Sequence, residues 1–273
     1  MANFMEKLAR ATLKNESLLC VGLDPDPLKL PEGVAVTDFN REIINATADL
    51  ACAYKLNLAF YEALGDGGTH ILKQTISHIP TDIPVIGDAK RGDIGNTARA
   101  YAKAIFDYYH FDATTVSPYL GFDSLEPFIQ YQERGIFVLC RTSNAGAVDF
   151  QSLRCRINNG EMQLFEMVAR KVSEWNVNGN LGLVVGATYP EELQLIRRTH
   201  PGLPLLIPGV GAQGGDLAMA VQYGVDENGQ KALINSSRQI LYASRDKDFA
   251  PAARKAAQEL RDQMNSFLPQ KGG

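Results

Sequence analysis

Residues 84–117 read PVIGDAKRGDIGNTARAYAKAIFDYYHFDATTVS. The run Pro84–Lys90 begins short and apolar, which favours a buried strand. Residues Asn96–Tyr109 follow with helical periodicity, and Ala113–Ser117 is a second apolar run. A strand, a helix and a strand in this order predict one parallel βαβ unit.

The same alternation occupies the rest of the chain. The predicted strands are Leu18–Leu23, Cys52–Asn57, Pro84–Lys90, Ala113–Ser117, Gly135–Arg141, Leu181–Gly186, Pro204–Gly209 and Lys231–Ser236. The helical stretches that follow them are Asp38–Leu50, Ala59–Ile79, Asn96–Tyr109, Ser124–Arg134, Glu161–Trp175, Pro190–Thr199, Asp216–Tyr223 and Pro251–Phe267. Eight units predict an α/β fold, a (β/α)8 TIM barrel with a closed parallel sheet and outer helices.

A doubly wound open sheet fits less well. Such sheets usually have five or six strands and a glycine-rich turn after the first, where this chain has GLDPDP. The length of 273 residues suits one barrel, since barrels of roughly 250 residues commonly form one domain. We therefore expect residues 1–273 to form a single barrel domain, with a short N-terminal helix before the first strand.

Composition and charge exclude several classes of protein. With 45% apolar and 21% charged residues, the chain has the composition of an ordinary globular protein. The net charge of −4 argues against a broad surface for nucleic acid or anionic membranes, which requires excess lysine and arginine. The N-terminal residues lack the apolar stretch of a signal peptide, and no run reaches membrane-spanning length. We expect a cytoplasmic protein.

The metal-binding residue types are scattered. The cysteines and histidines are Cys20, Cys52, Cys140, Cys155, His70, His78, His110 and His200. No Cys-x-x-Cys or His-x-x-x-His spacing occurs among them, and three of the cysteines lie within or beside apolar runs where a thiol acts as a small apolar side chain. The sequence therefore predicts no protein-bound metal and no disulfide.

Charged residues stand where the third predicted strand ends. Side chains two apart on a strand share a face, so Asp88 and Lys90 should point together into the barrel mouth, where active sites of such barrels lie. Lys55 ends the second strand next to them, and Asp93 lies on the following loop. Burying these four charges is costly unless they alternate and pair. Either a catalytic cluster or a structural salt-bridge network at the barrel top would explain them.

A phosphate site is predicted after the seventh and eighth strands. The segment from Pro208 is rich in glycine and leads into a helix, which favours phosphate binding by backbone N–H groups. Arg238 is the last residue of the segment NSSR at the end of the eighth strand, and its guanidinium suits a terminal phosphate. A plain loop is the alternative. The candidate phosphate residues are Pro208, Gly209, Gly211, Gln213, Ser237 and Arg238.

Two further loops carry candidate binding groups. Asp24, in GLDPD, could accept hydrogen bonds from sugar hydroxyls, or it could simply cap a turn. Ser143 belongs to the polar segment Arg141–Asn144 after the fifth strand, which could read a base edge. The long connection Asn144–Gly160 is either a functional lid or a disordered surface loop.

The quoted motifs resemble one known family. The segment DAKRGDIGNT at residues 88–97 resembles the Asp-x-Lys-x-x-Asp-Ile-x-x-Thr signature of orotidine 5′-monophosphate (OMP) decarboxylases. The segments GLDPDP, YKLNLAFYEALG, VSPYLGFDSLEPF, RTSNAGAVDFQ and PGVGAQGGD resemble its longer bacterial branch, type 2, in the same order. The resemblance implies cofactor-free conversion of OMP to UMP and CO₂ in pyrimidine biosynthesis.

The resemblance also implies roles at the reacting end of the substrate. Lys90 would donate a proton to C6 of the pyrimidine, Asp88 would lie beside the substrate carboxylate, and Lys55 would bridge towards the ribose. Asp93 and Thr97 resemble positions that this family donates across a homodimer interface into the neighbouring site. The catalytic group would be Lys90, Asp88, Asp93 and Lys55, whereas Thr97, like Lys55, would contact the substrate.

The remaining implied roles concern substrate binding. Asp24 would hold the ribose hydroxyls and Ser143 would face the base. Gln213 and Arg238 would bind the phosphate. The partners implied are therefore a nucleotide substrate and a second copy of the chain, with neither nucleic acid nor a membrane.

Two other functions remain open at this point. A related phosphosugar decarboxylase acting on a hexulonate 6-phosphate would use the same Asp-x-Lys-x-x-Asp motif with Mg²⁺, which needs oxygen ligands near the reacting enediolate. A non-catalytic nucleotide-binding barrel would bind UMP but release no CO₂. Loss of turnover on addition of EDTA would indicate the Mg²⁺-dependent phosphosugar decarboxylase. Release of CO₂ would exclude the non-catalytic barrel.

Overall fold

A computed structural model describes residues 3–157, 160–211 and 214–269. Eight parallel strands close into a barrel in the order β1, β10, β9, β8, β5, β4, β3, β2. Their bounds are β1 Leu19–Gly22, β2 Ala53–Asn57, β3 Val85–Arg91, β4 Ala113–Val116, β5 Gly135–Arg141, β8 Leu181–Val185, β9 Leu205–Ile207 and β10 Ala232–Ser236. The remaining two, β6 Arg154–Ile157 and β7 Gly160–Gln163, form an antiparallel hairpin outside the barrel. The predicted (β/α)8 barrel is confirmed.

Helices surround the barrel. They are α1 Phe4–Asn15, α2 Val36–Thr47, α3 Leu58–Glu62, α4 Gly68–His78, α5 Gly95–Lys103, α6 Phe122–Ile129, α7 Leu164–Trp175, α8 Pro190–Thr199, α9 Leu217–Gly224, α10 Arg238–Leu241 and α11 Phe249–Ser266. A π-helical turn at Ala104–Tyr108 follows α5. Within the described ranges, no helix combines the length and apolar character that crossing a membrane requires.

The barrel interior is filled by one apolar layer to which every barrel strand contributes. Its members are Cys20, Ala53, Ile86, Ala113, Phe137, Val184, Leu206 and Leu233. Helix α1 closes the end of the barrel where the strands begin, because Phe4 and Leu8 pack against this layer. The Phe4 and Phe137 rings meet edge to face with centroids 5.7 Å apart. The interior is thus a packed core and not a pore, as in other barrels of this kind.

The alternate residues of the strands face the helices. Leu181, Leu183 and Val185 of β8 belong to a second, larger apolar cluster that includes Ala169 and Val172 of α7. Every residue of β8 is buried. Burial on both faces explains why the strands read as continuous apolar runs in the sequence.

One stretch predicted as a single helix is interrupted in the structure. The stretch Ala59–Ile79 is two helices, α3 and α4, separated by a 3-10 turn at Gly65–Gly67. Gly65 has φ +71°, a conformation that interrupts a right-handed helix and that glycine adopts readily. Periodicity on both sides of the break concealed it.

The region after β5 also differs from the prediction. Helix α7 begins at Leu164 and not at Glu161, which lies in β7. The connection Asn144–Gly160 contains a 3-10 turn at Ala145–Asp149 and the first strand of the hairpin. It is therefore folded over most of its described length, and its predicted role as a lid stays a prediction.

Candidate active site

A cavity of about 730 Å³ opens where the barrel strands end. Side chains two positions apart on a strand share a face, so the residues two positions after the interior apolar layer also face the barrel interior. These residues form the floor of the cavity. Six of these floor residues line the cavity: Lys55, Asp88, Thr115, Leu139, Pro208 and Asn235. The charged side chains predicted at the strand ends therefore stand directly above the apolar core.

Asp88 is the centre of a charged cluster on this floor. Its Oδ1 atom lies 2.7 Å from Nζ of Lys90, and its Oδ2 atom lies 3.1 Å from Nζ of Lys55. The Thr115 hydroxyl donates to Asp88 Oδ1 at 2.8 Å, and Asp24 Oδ1 lies 3.8 Å from Lys55 Nζ. The Asp88 and Lys55 side chains are 10% and 5% exposed, whereas that of Lys90 is 48% exposed. Lys90 is thus the ammonium with open space around it.

The cluster keeps its inner members ionised. Burial raises the pKa of the Asp88 carboxyl, but the ammonium groups of Lys55 and Lys90 outweigh burial, so the pKa ends below its ordinary value. Burial lowers the pKa of Lys55, but the carboxylates of Asp24 and Asp88 raise it above its ordinary value. At neutral pH the site therefore holds a buried carboxylate between two cations.

The backbone of β3 is irregular where it carries these residues. The pairing with β4 shifts register between Gly87 and Arg91. Lys90 lies within this bulge with φ +47°, in the left-handed region that non-glycine residues rarely occupy. Bulges often re-aim a side chain beside an active site.

The opposite wall of the cavity contains the predicted phosphate residues. Pro208, Gly209, Ser237 and Arg238 line it. Among the described residues, Ser237 Oγ finds no hydrogen-bond partner although the atom is buried, and the same holds for Oδ1 of Asn235. A polar ligand would satisfy such atoms, since buried polar groups normally have partners.

One predicted phosphate residue, Gly211, does not belong to this wall. Gly211 is in the glycine-rich loop, with φ +66°, and its N–H donates to the Gly215 carbonyl at 3.2 Å. It is not among the residues that line the cavity. Gln213 lies outside the described residues.

Asp24 lines the cavity beside Lys55. Its carboxylate accepts a hydrogen bond from the N–H of Asn57 at 3.2 Å, which fixes it against the end of β2. The hydroxyl of Tyr242 donates to the Asp24 carbonyl at 3.2 Å and accepts from the Asp26 N–H at 2.7 Å. Tyr242 therefore ties the loop after β1 to the end of α10, the helix that Arg238 begins.

Ser143 lines the same cavity on the segment after β5. The neighbouring residue Thr142 is held by Gln151, whose amide oxygen accepts from the Thr142 N–H and whose amide nitrogen donates to the Thr142 hydroxyl, both at 2.8 Å. Behind them, Arg141 is buried and forms an ion pair with Glu192. This wall is thus anchored by polar bonds and not by apolar packing alone.

Asp93 and Thr97 do not line the cavity of their own chain. Asp93 accepts a hydrogen bond from the Ile94 N–H at 2.8 Å, and Thr97 is exposed on α5. Ile94, next to Asp93 in the chain, is 54% exposed, and Tyr119, which follows β4, is 81% exposed. In the cluster itself, the second carboxylate is Asp24 and not Asp93.

The sequence did not indicate several residues that line the cavity. Thr115 could have been found, because it ends the run that begins at Ala113 on the same strand face. Tyr242 and Gln151 had no comparable signal, since each reaches the cavity from a segment whose position depends on the tertiary fold. In the described part of the chain, no group of three or more His, Cys, Asp or Glu side chains could hold a metal ion.

Comparison with known proteins places this site in a family. Residues 17–255 match the profile of the orotidine 5′-phosphate decarboxylase / HUMPS family. The chain belongs to this family. The match spans all eight barrel strands and the residues of the charged cluster.

Individual members of the orotidine 5′-phosphate decarboxylase family are similar over nearly their whole length. The orotidine 5′-phosphate decarboxylase of Dehalococcoides mccartyi is 55% identical over 264 residues, covering 97% of this chain and 98% of its own. That of Paracidovorax citrulli is 50% identical over 272 residues, covering 96% and 98%. The solved OMP decarboxylase of Leishmania donovani is 40% identical with a TM-score of 0.85, covering 97% and 98%.

Proposed function

We propose that this chain is an OMP decarboxylase, which converts orotidine 5′-monophosphate to UMP and CO₂. Membership of the family and 50–55% identity to decarboxylases over nearly the full length support the reaction. The observation that carries the proposal is the Lys90 ammonium, held 2.7 Å from a buried carboxylate and half exposed to the cavity. Among the cavity residues that the structure describes, none favours the hexulonate 6-phosphate alternative or a non-catalytic barrel.

The chemistry requires a cation at the reacting carbon. Loss of CO₂ from C6 leaves an electron pair with no carbonyl or imine to delocalise it, so the protein must stabilise the carbanion electrostatically. The Lys90 ammonium supplies this charge and then donates its proton to C6. Asp88 holds the amine in place, and Lys55 balances the charge of Asp88 from below.

The rest of the substrate has a place along the cavity. Asp24 accepts hydrogen bonds from the ribose hydroxyls, and Ser143 faces the base. Arg238 and Ser237 bind the phosphate on the wall formed by β9 and β10, and we assign Gln213 to the same role from the sequence. Binding energy from the phosphate can then support exclusion of water around C6.

We further infer that the working enzyme is a homodimer. Asp93 and Thr97 do not line the cavity of their own chain, and the apolar side chains of Ile94, beside Asp93, and Tyr119, after β4, are exposed. A second copy would cover these side chains and would bring Asp93 next to the partner's Lys90. Each site would then contain residues from both chains.

The cellular setting is part of the same proposal. We infer a single-domain enzyme of the cytoplasm that acts in pyrimidine biosynthesis. All four cysteines are free thiols, which suits a reducing compartment. The proposed reaction itself needs no cofactor, because every charge that it uses comes from side chains of the protein.

One assay tests the function. Purified protein is treated with EDTA, mixed with OMP, and followed by the loss of orotate absorbance and by CO₂ release. We expect full turnover at the same rate with and without EDTA. Turnover that requires added Mg²⁺ would favour the phosphosugar decarboxylase, and UMP binding without CO₂ release would favour the non-catalytic barrel.

A further inference from the structure

One hydroxyl contacts both members of the reacting pair. The Thr115 hydroxyl donates to Asp88 Oδ1 at 2.8 Å and accepts from the backbone N–H of Lys90 at 3.0 Å. The side chain is 1% exposed and stands on the cavity floor at the end of β4. The hydroxyl is neutral, and it donates its proton to Asp88 and accepts from Lys90, so its bonds are directed to these two residues.

The irregularity of β3 explains why a side chain is needed there. Between paired residues, β3 runs from Gly87 to Arg91 while β4 runs only from Thr114 to Val116. The extra residues of β3 cannot continue the ladder of backbone hydrogen bonds. The Thr115 hydroxyl accepts from the Lys90 N–H in place of a β4 carbonyl.

The bond also stabilises a strained conformation. Lys90 has φ +47°, and a non-glycine residue in this region persists only when its surroundings enforce it. Without the Thr115 hydroxyl, the Lys90 backbone could relax towards an extended conformation. The ammonium would then move relative to Asp88, because the Lys90 side chain is 48% exposed and has little packing of its own.

We infer that Thr115 is a positioning residue for the decarboxylation, fixing the Lys90 ammonium and the Asp88 carboxylate relative to each other through one hydroxyl. The inference rests on the proposed function. It is also supported electrostatically: burial raises the pKa of Asp88, and the Thr115 hydrogen bond, after the two lysines, helps to lower it below its ordinary value.

The test compares three variants of the full-length enzyme. Thr115→Val keeps the shape of the side chain and removes the hydroxyl, and Thr115→Ser restores the hydroxyl. The matched control is Thr114→Val, because the Thr114 hydroxyl is equally buried and donates to the Gly87 carbonyl at 2.8 Å but contacts neither Asp88 nor Lys90. For each protein, kcat and KM for OMP and the unfolding midpoint in urea are measured.

We expect kcat of Thr115→Val to fall roughly 10- to 100-fold, as for loss of a hydrogen bond to a charged group, with KM changed by less than about threefold. Thr115→Ser should recover most of kcat. Thr114→Val should unfold at lower urea and keep kcat within about threefold of the wild type. The loss in Thr115→Val should appear in kcat and not in KM, because the hydroxyl holds the reacting pair in place.

Three results would overturn the inference. These are a kcat for Thr115→Val within threefold of the wild type, an equal loss of kcat in Thr114→Val, and a kcat for Thr115→Ser as low as that of Thr115→Val. Any of these with normal wild-type turnover rejects the role of Thr115 alone. Absence of wild-type turnover with OMP would instead reject the proposed function.

Discussion

Removing the Asp88 carboxylate should strand a buried cation. Lys55 is 4% exposed, and Asp88 is its nearest carboxylate at 3.1 Å, with Asp24 next at 3.8 Å. Breaking a buried ion pair by removing one partner costs about 3–5 kcal/mol, because the remaining charge loses its compensation. Since Asp24 still offers partial compensation, we expect Asp88→Ala to lower the free energy of unfolding by about 3 kcal/mol.

The double variant Lys55→Met/Asp88→Ala should recover most of that loss, because an apolar side chain replaces the stranded ammonium. Urea unfolding followed by the fluorescence of the single tryptophan, Trp175, measures both. The control is Asp49→Ala, which breaks an exposed pair with Arg254 at 2.7 Å and should cost less than about 1 kcal/mol. The reasoning fails if Asp88→Ala costs no more than this control, or if the double variant is less stable than the single one.

Further predictions concern activity, pH and stability. Lys90→Ala should abolish CO₂ release, whereas calorimetry should still detect binding of OMP. Normal turnover by this variant would contradict the proposed role of Lys90. Mixing inactive Lys90→Ala and Asp93→Ala subunits should restore partial activity, because each hybrid dimer contains one intact site, and verified hybrids without activity would count against a shared site. Ionised Asp88 stabilises the fold at pH values above its unfolded pKa of about 3.9. Protonated Lys55 stabilises the fold at pH values below its unfolded pKa of about 10.4. Their contribution to the free energy of unfolding should therefore stay constant from about pH 5 to 9 and decline outside this window. Arg197→Met should cost at least about 3 kcal/mol in urea unfolding, because the buried guanidinium donates to four backbone carbonyls that would lose their partner.

The barrel could be predicted from the sequence because its strands are buried on both faces. Runs such as Gly135–Arg141 and Leu181–Val185 are continuous and apolar for that reason, and the structure places strands there. Asp88 and Lys90 stood out for the opposite reason, since charges are unexpected at the end of such a run. Hydrophobic pattern and its interruption therefore identified both the fold and the floor of the candidate site.

Other features depend on geometry that no local pattern records. The hairpin of β6 and β7 is largely exposed, so its residues resemble a polar loop. The function of Thr115 depends on the register of β3 against β4, where the bulge creates a donor without a backbone acceptor. Tyr242 reaches Asp24 across 218 positions of sequence, a contact that only the closed barrel creates.

Phe4 and Leu8 of α1, which close the barrel below the Asp88 cluster, affect how water screens the charges of that cluster. With the apolar layer and α1 filling the barrel from below, water can solvate the Asp88 cluster only from the open mouth. The packed interior then works as an electrical insulator behind the charges. Whatever covers the mouth will lower the dielectric constant around all of them at once, and a bound nucleotide will strengthen the field at its own reacting carbon.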